Sequence, residues 1–345
     1  ADLRQAILNI EGRIRASSAT LLRFLKDSPL TKRAGPHVAK LQARGENTLD
    51  LVLAIPLNKQ PSRVKGVVGF TGGEISVPGF GLTLGDIRGD LAFDGGSLNA
   101  RDIKLLFRGE PATLDVNTES GSIGQTIHFK LSERWDLSEV VGRNALRSYL
   151  QGKGPVAIDL QVPSGGGDTS STLALAASTD LQGIAVNLPP PLGKPSTGKR
   201  LLTIKIDLDD DDKKALQILI DYEPNTQAIL EWGGFPRQAR FLRGAVHIDA
   251  GRAKLPEAPG LTLIANLPYW RLSIPGPGEG GGASIWQNLN DITAHIDKLQ
   301  WGDWIMNDLS LHATPDQNAV HVDLTGTAAN GRLALPIQSG TPLQV

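Results

Sequence analysis

The chain has 345 residues, and its Lys+Arg 35 against Asp+Glu 36 leave a formal net charge of −1. That balance excludes nucleic acid as the main partner, because phosphate binding needs a clustered basic surplus. Cys 0 removes disulfides, thiolate catalysis and Cys-ligated zinc, while 40% hydrophobic residues suffice for a core.

Gly 39 and Pro 22 point to many turns and therefore many strands. The longest apolar run, residues 51–57, is interrupted by Pro56 and falls far short of the roughly 20 residues of a membrane span. The chain opens at Ala1-Asp2 without Met. The expectation is a fragment of a longer protein whose membrane anchor lies outside it.

In chain order, the first predicted element is a helix over residues 18–27, with Leu21, Phe24 and Leu25 at helical spacing. Strict alternation follows. Leu49, Leu51, Leu53 and Ile55 fall on one face of a strand, and Asp50, Val52 and Ala54 on the other. The same period of two recurs in Ile103, Leu105, Phe107; in Leu114, Val116; and in Ile127, Phe129, Leu131. A second helix is predicted near 136–151, with Asp136 and Glu139 resembling a capping box and Gly152 at the C-cap. Alternation then resumes in Val156, Ile158, Leu160, Val162; in Leu202, Ile204, Ile206, Leu208; and in Leu216, Ile218, Ile220. It continues through Val246, Ile248, a short helix near 284–290, then Val320, Val322, Leu324 and Leu333, Leu335, Ile337. Turn signals separate the runs, among them Asp94-Gly95-Gly96, Asn330-Gly331 and the glycines at 165–167. The pattern predicts about 18–22 strands, mostly antiparallel hairpins and meanders, in a mainly β fold. Residues 80–116 and 301–336 echo each other weakly, as β units added side by side would. No linker stands out; residues 276–283 are the candidate soft boundary in an otherwise continuous segment.

Candidates for chemistry are thin. The six histidines, His37, His128, His247, His295, His312 and His321, show neither an HExxH motif nor a helical pair, so solvated surface positions are expected. Asp209 to Asp212 with Lys213 and Lys214 lack EF-hand spacing and read as a hairpin turn. No Gly-x-Ser-x-Gly elbow or P-loop is present. The six tryptophans read as strand-end packing residues rather than sugar platforms. An enzyme is not expected, and no cofactor or metal is called for.

The aliphatic strand face remains. It can be buried in a closed β-sandwich, or a curled sheet can offer it to lipid chains. Two acyl tails of about 30 methylenes need roughly 25 kcal/mol of shielding in water.

Several segments resemble the large bacterial AsmA-like proteins of the YhdP family. They are residues 24–30 (Phe-Leu-Lys-Asp-Ser-Pro-Leu), 45–57, 89–93 and 109–112, and above all 178–194, from Ser178-Thr179-Asp180-Leu181 to Pro190-Pro191-Leu192-Gly193-Lys194. The resemblance implies an extended, twisted antiparallel β-sheet curled into a taco-like groove. It implies a periplasmic segment of a bridge-like lipid-transfer protein, anchored to the inner membrane through parts absent here. Phospholipids, the membrane and neighbouring segments of the same chain are the implied partners. The lining expected from the residues is the set of inward positions named above. The alternative is a non-catalytic envelope scaffold built from closed β-sandwiches.

Overall fold

A computed structural model describes residues 6–27, 41–58, 60–77, 82–121, 124–137, 149–164, 173–188, 190–208, 215–234, 239–272, 289–316, 319–327 and 330–336. Among them lie 21 strands and one helix. The chain divides into two compact units, each best taken by itself.

The first unit opens with β1 (Ile7–Ser17) and α1 (Ser18–Asp27). Ser17 Oγ accepts from Thr20 N–H at 3.2 Å, which satisfies one of the free donors of the helix N-terminus. Then follow β2 (Gln42–Arg44), β3 (Glu46–Pro56), β4 (Arg63–Val77), β5 (Leu82–Asp94), β6 (Ser97–Phe107), β7 (Glu110–Ser120) and β8 (Gln125–Asp136). Apart from β1, which lies beside β3, neighbours from β3 onward are joined in sequence order, all antiparallel. The long β4 is shared: Ala54 to Asn47 of β3 face its first half, Arg63 to Phe70, and β2 faces Glu74 to Ser76. Irregular register at Thr71/Gly73, Gly85/Arg88 and Ala100/Ile103 marks bulges, which bend and twist the strands. β9 (Leu150–Ser164) and β10 (Leu173–Thr179) complete the first half of the chain.

The second unit contains β11 (Ile184–Val186), β12 (Leu202–Leu208), β13 (Leu216–Tyr222), β14 (Thr226–Gly233), β15 (Arg240–Ile248), β16 (Gly260–Leu267), β17 (Trp270–Leu272), β18 (Leu289–Trp301), β19 (Trp304–Pro315), β20 (Ala319–Gly326) and β21 (Asn330–Pro336). β12 to β15 form one antiparallel run and β18 to β21 another. Between them β15, β16 and β18 are parallel, as are β17 and β18. The antiparallel expectation therefore gives way to a mixed sheet. The cause is the connection between β15 and β16, a crossover rather than a tight turn. It lies on the polar face, where Arg243 Nη1 donates to Pro256 O at 2.9 Å and Ala253 N–H to Gln227 Oε1 at 3.3 Å.

Leu137, directly after the expected cap Asp136, is helical, whereas the far end of the helix expected near 136–151 is strand. Asp136 closes β8, and Leu150 and Gln151 open β9; residues 138–148 lie outside the described set. Gly152 is no helix cap. It stands in β9 opposite Ile184 with φ +115°, and a Cβ there would meet Gly183 O at 2.2 Å. Close approach of two backbones, not helix termination, demands the glycine. Leu289 and Asn290, expected at a helix end, begin β18. The rest of that helix, the soft boundary at 276–283, the charged turn at 209–214, the glycines at 165–167 and His37 all lie outside the described residues.

In the second unit two apolar clusters are built on the sheet. One cluster gathers Ile248, Ala265, Ala294, Ile296, Leu299 and Leu309, and another Ala313, Val320 and Val322. Their members and packed neighbours come from adjacent strands of the same sheet, with Leu192 the exception. The mainly β, open-sheet class expected from the sequence is the class observed.

Candidate functional site: an apolar sheet face

Register turns the alternation of single strands into rows that cross the sheet. In the second unit one row runs Ile204, Ile220, Ala228, Val246, Leu263, Ile292, Ala313, Val322, Leu333. Every member is apolar, and at ~4.8 Å per strand step the row is about 38 Å long. The next row on that face is Leu202, Tyr222, Thr226, Ile248, Ala265, Ala294, Leu311, Leu324, Gly331. On the other side Ile206, Ile218, Leu230 and Gly244 continue it. The opposite face reads Thr203, Asp221, Gln227, His247, Ile264, Thr293, His312, Asp323, Arg332, with one aliphatic residue among nine.

The first unit repeats the arrangement. Ile10, Leu53 and Val64 are in register, as are Ile14, Leu49, Val68 and Leu91. Between these rows lie Gly12, Leu51, Gly66, Phe93 and Leu98; the Phe93 ring lies over Gly66, filling the gap its missing side chain leaves. Ala100, Val116 and Phe129 form a further row, and Ile103, Leu114 and Leu131 another. Ile127 stands opposite Thr118, and Leu105 opposite Ala112.

The expected lining residues thus fall together on the apolar face of their own unit wherever register can be traced. Val156 is buried, and Ile158, Leu160, Leu208 and Leu216 are half-buried. Leu335 is fixed only through its backbone register with Val320. Ile55 pairs with Leu8.

Sequence reasoning missed β1 and much of β16, β18 and β19. Leu8, Ile10 and Ile14, or Leu309, Leu311 and Ala313, do alternate, but Gly12 and the alanines weaken the signal. It also missed Tyr222 and Leu192. The tyrosine alternates with Ile218 and Ile220, so its period was legible although its residue type was not aliphatic.

Electrostatics belongs to the other face. Arg13 grips Asp50 through two bonds, of 2.5 and 3.0 Å, which lowers the Asp50 carboxyl below its usual range. Glu231 accepts from Arg243 Nε at 2.6 Å and from Gln217 Nε2 at 3.3 Å; the arginine holds its carboxyl below the ordinary range against the opposing effect of burial. The histidines are less uniform than expected. His312 and His321 are exposed, each 2.7 Å from an aspartate, Asp291 and Asp316. His128 is largely buried, its Nδ1 2.9 Å from Asp159, because it sits amid the outer-face polar ladder rather than in free solvent. The tryptophans differ as well: Trp135 is buried, whereas Trp304 at the β18–β19 turn is 77% exposed.

A concavity of about 720 Å³ lies in the first unit, bordered by Glu11, Arg13, Asp50, Lys65 and Asp94 together with Gly12, Leu51, Gly66 and Phe93. Val52, Val67 and Ala92 complete its border, and Leu51 is its sole member from the expected lining. A second, of about 350 Å³, surrounds the polar β13–β14 turn. Among the described residues no group of three His, Asp or Glu side chains is placed to hold a metal.

An open mixed sheet that carries an unbroken apolar row on one face, with a largely polar row behind it, is of the β-groove type. The YhdP family model, described as "YhdP protein", matches residues 1–345, and the chain belongs to that family. It is 25% identical over 351 residues to the intermembrane phospholipid transporter YhdP of Escherichia coli (strain K12), covering 97% of this chain and 26% of that protein. The chain thus spans about a quarter of that relative's length. No solved structure matches.

Proposed function

We propose that this chain is a segment of a bridge-like lipid-transfer protein whose apolar sheet face carries the acyl chains of phospholipids between the inner and outer membranes. The observation that supports it most is the unbroken apolar row from Ile204 to Leu333, set back to back with a polar one. An acyl chain laid along such a face is shielded at roughly 0.8 kcal/mol per methylene, and no catalytic group is needed. The relative's printed name, an intermembrane phospholipid transporter, supports phospholipid as the cargo class. In this reading the segment works in the periplasm without enzymatic chemistry, its neighbours in the same chain extend the face, and the inner-membrane anchor lies elsewhere. Among the described residues no helix is long and apolar enough to cross a membrane.

The test is detergent-free purification followed by lipid extraction and mass spectrometry. Bound phospholipid is expected. Leu53→Asp in the first unit and Ile204→Asp in the second each place an unpaired charge under the acyl chain, so retained lipid should fall about tenfold or more. A wild-type protein free of lipid, or variants that retain lipid normally, would refute the reading. The scaffold alternative has one observation of its own, the near-complete burial of Ile103 and Val116. It predicts no bound lipid at all.

A further inference from the structure

Among the described residues, one side chain from outside the sheet packs on the apolar cluster of the second unit. It is Leu192, carried by a strap over residues 190–200. The strap is held from both ends. Lys194 is buried, and its Nζ donates to Leu181 O at 2.8 Å and Ile184 O at 2.5 Å. Val186 and Lys194 exchange backbone bonds of 2.9 and 3.0 Å. Gly193 fits there because a Cβ would strike Leu188 O at 2.1 Å. At the other end Arg200 Nη1 donates to Pro191 O at 2.8 Å, to Leu192 O at 3.1 Å and to Tyr222 Oη at 3.1 Å. The Tyr222 hydroxyl donates to Leu192 O at 2.7 Å, with the Arg200 guanidinium 4.9 Å over its ring. Two donors thus converge on one carbonyl and fix Leu192 against the face.

Where the strap crosses follows from register. Tyr222, whose hydroxyl holds the Leu192 carbonyl, is opposite Thr226, and Thr226 is opposite Ile248, a member of the cluster on which Leu192 packs. This is the row beside Ile204, Ala228 and Val246, displaced by two residues, or about 6.8 Å along the strands. Surface already covered by Leu192 offers an acyl chain no further release of water.

We infer that Leu192 is a wall of the lipid path, positioned by Arg200 and Tyr222, which confines acyl chains to the row of Ile204 and excludes them from the row of Tyr222 and Thr226. The inference rests on the acyl-chain reading above. Its test uses the unaltered chain incubated with vesicles of phosphatidylcholine carrying a diazirine on one acyl chain, irradiated, with adducts mapped by peptide mass spectrometry. Ile204 should be labelled, and Thr226 about tenfold less, since the wall withholds contact with about two methylenes. Leu192→Ala should bring Thr226 to within about twofold of Ile204. Tyr222→Phe removes one of the two bonds to the Leu192 carbonyl without removing a core ring, and should raise Thr226 labelling to an intermediate level. Should Leu192→Ala fail to fold, this second variant carries the comparison. Equal labelling of Thr226 and Ile204 in the unaltered chain overturns the wall, and so does a folded variant in which Thr226 stays dark. Absence of label on Ile204 itself would instead strike the acyl-chain reading, and the two failures are told apart by that residue.

Discussion

Two stretches of the first unit carry the same sequence signature and meet solvent differently. On β1, Leu8, Ile10 and Ile14 are 46–50% exposed, although they lie in register with Ile55, Leu53 and Leu49. On β6 and β7, Ile103, Leu105 and Val116 are only 2–3% exposed. Both stretches alternate with period two, and both face the same side as their neighbours. What separates them is neighbourhood and curvature. Hydrogen bonds join β1 to β3 along one edge, whereas β6 and β7 lie inside the sheet, next to the bulges at Gly85/Arg88 and Ala100/Ile103. Bulges bend the sheet, and a bent face shields its own side chains. An apolar stripe therefore defines a surface, while the local curl decides whether that surface is a core or a place for a ligand.

The sharpest way to break this comparison is a matched pair of truncations. Ile103→Ala removes buried methyl and methylene groups and should destabilise by about 2–5 kcal/mol. Ile10→Ala removes the same atoms from a half-exposed site and should cost less than ~1 kcal/mol. Urea unfolding of the two variants reads both numbers. Equal losses would mean that the β1 face is covered as thoroughly as the β6–β7 face, and the distinction between core and open surface would fall.

The β strands and the faces they present were legible because one physical rule, alternation every two residues, governs both. Leu49 to Ile55 and Leu202 to Ile206 show it without interruption, and Leu49, Leu53, Ile204 and Ile206 have aliphatic register neighbours. Legibility failed wherever long-range geometry overruled local pattern. Gly152 follows a helix-like stretch, but its role is to let β9 approach Ile184. The parallel pairing of β15 with β16 depends on a crossover held by Arg243 and Gln227, residues that carry no topological signal in sequence. Bulges shift the phase, so Ala100 and Ile103 share a face although they are an odd number of residues apart. The strap was visible as a motif at 178–194, yet its position on the apolar face rests on Arg200 and Tyr222, which lie outside that motif.

A smaller effect belongs to the covered part of the second unit. Lys194→Met keeps the length of the side chain and removes the donor to two buried carbonyls. A buried acceptor left without a partner costs about 1–3 kcal/mol, so the urea midpoint should fall with no change in m-value. Burial, aided by the nearby Arg200 charge and opposed by Asp180, pushes the Lys194 ammonium below its ordinary pKa. A folded value below the unfolded one means that protonated Lys194 weakens the fold. In the wild type this penalty should lift as the pH rises through the folded pKa toward the unfolded value near 10.4. The methionine variant should lack that alkaline gain, and a wild-type profile as flat as the variant's would deny the lysine its buried, charged state.

The smallest effect is expected on the polar face, at Glu231 and Arg243, where the arginine remains partly exposed. The hydrogen bond from Arg243 is the leading cause that lowers the Glu231 carboxyl, with burial opposing it and Gln217 assisting. The linkage runs opposite to that of Lys194. A depressed folded pKa contributes stability that is fully present above the unfolded value, about 4.3, and disappears as pH falls through the folded value. Wild-type stability should therefore drop between neutral pH and pH 3 by more than that of Arg243→Gln, whose neutral side chain no longer favours the ionised carboxyl. Denaturant midpoints of both proteins at the two pH values measure the difference. An identical acid response would show that solvent screens the pair completely, and that the polar face contributes solubility and strand register but no pH-dependent stability.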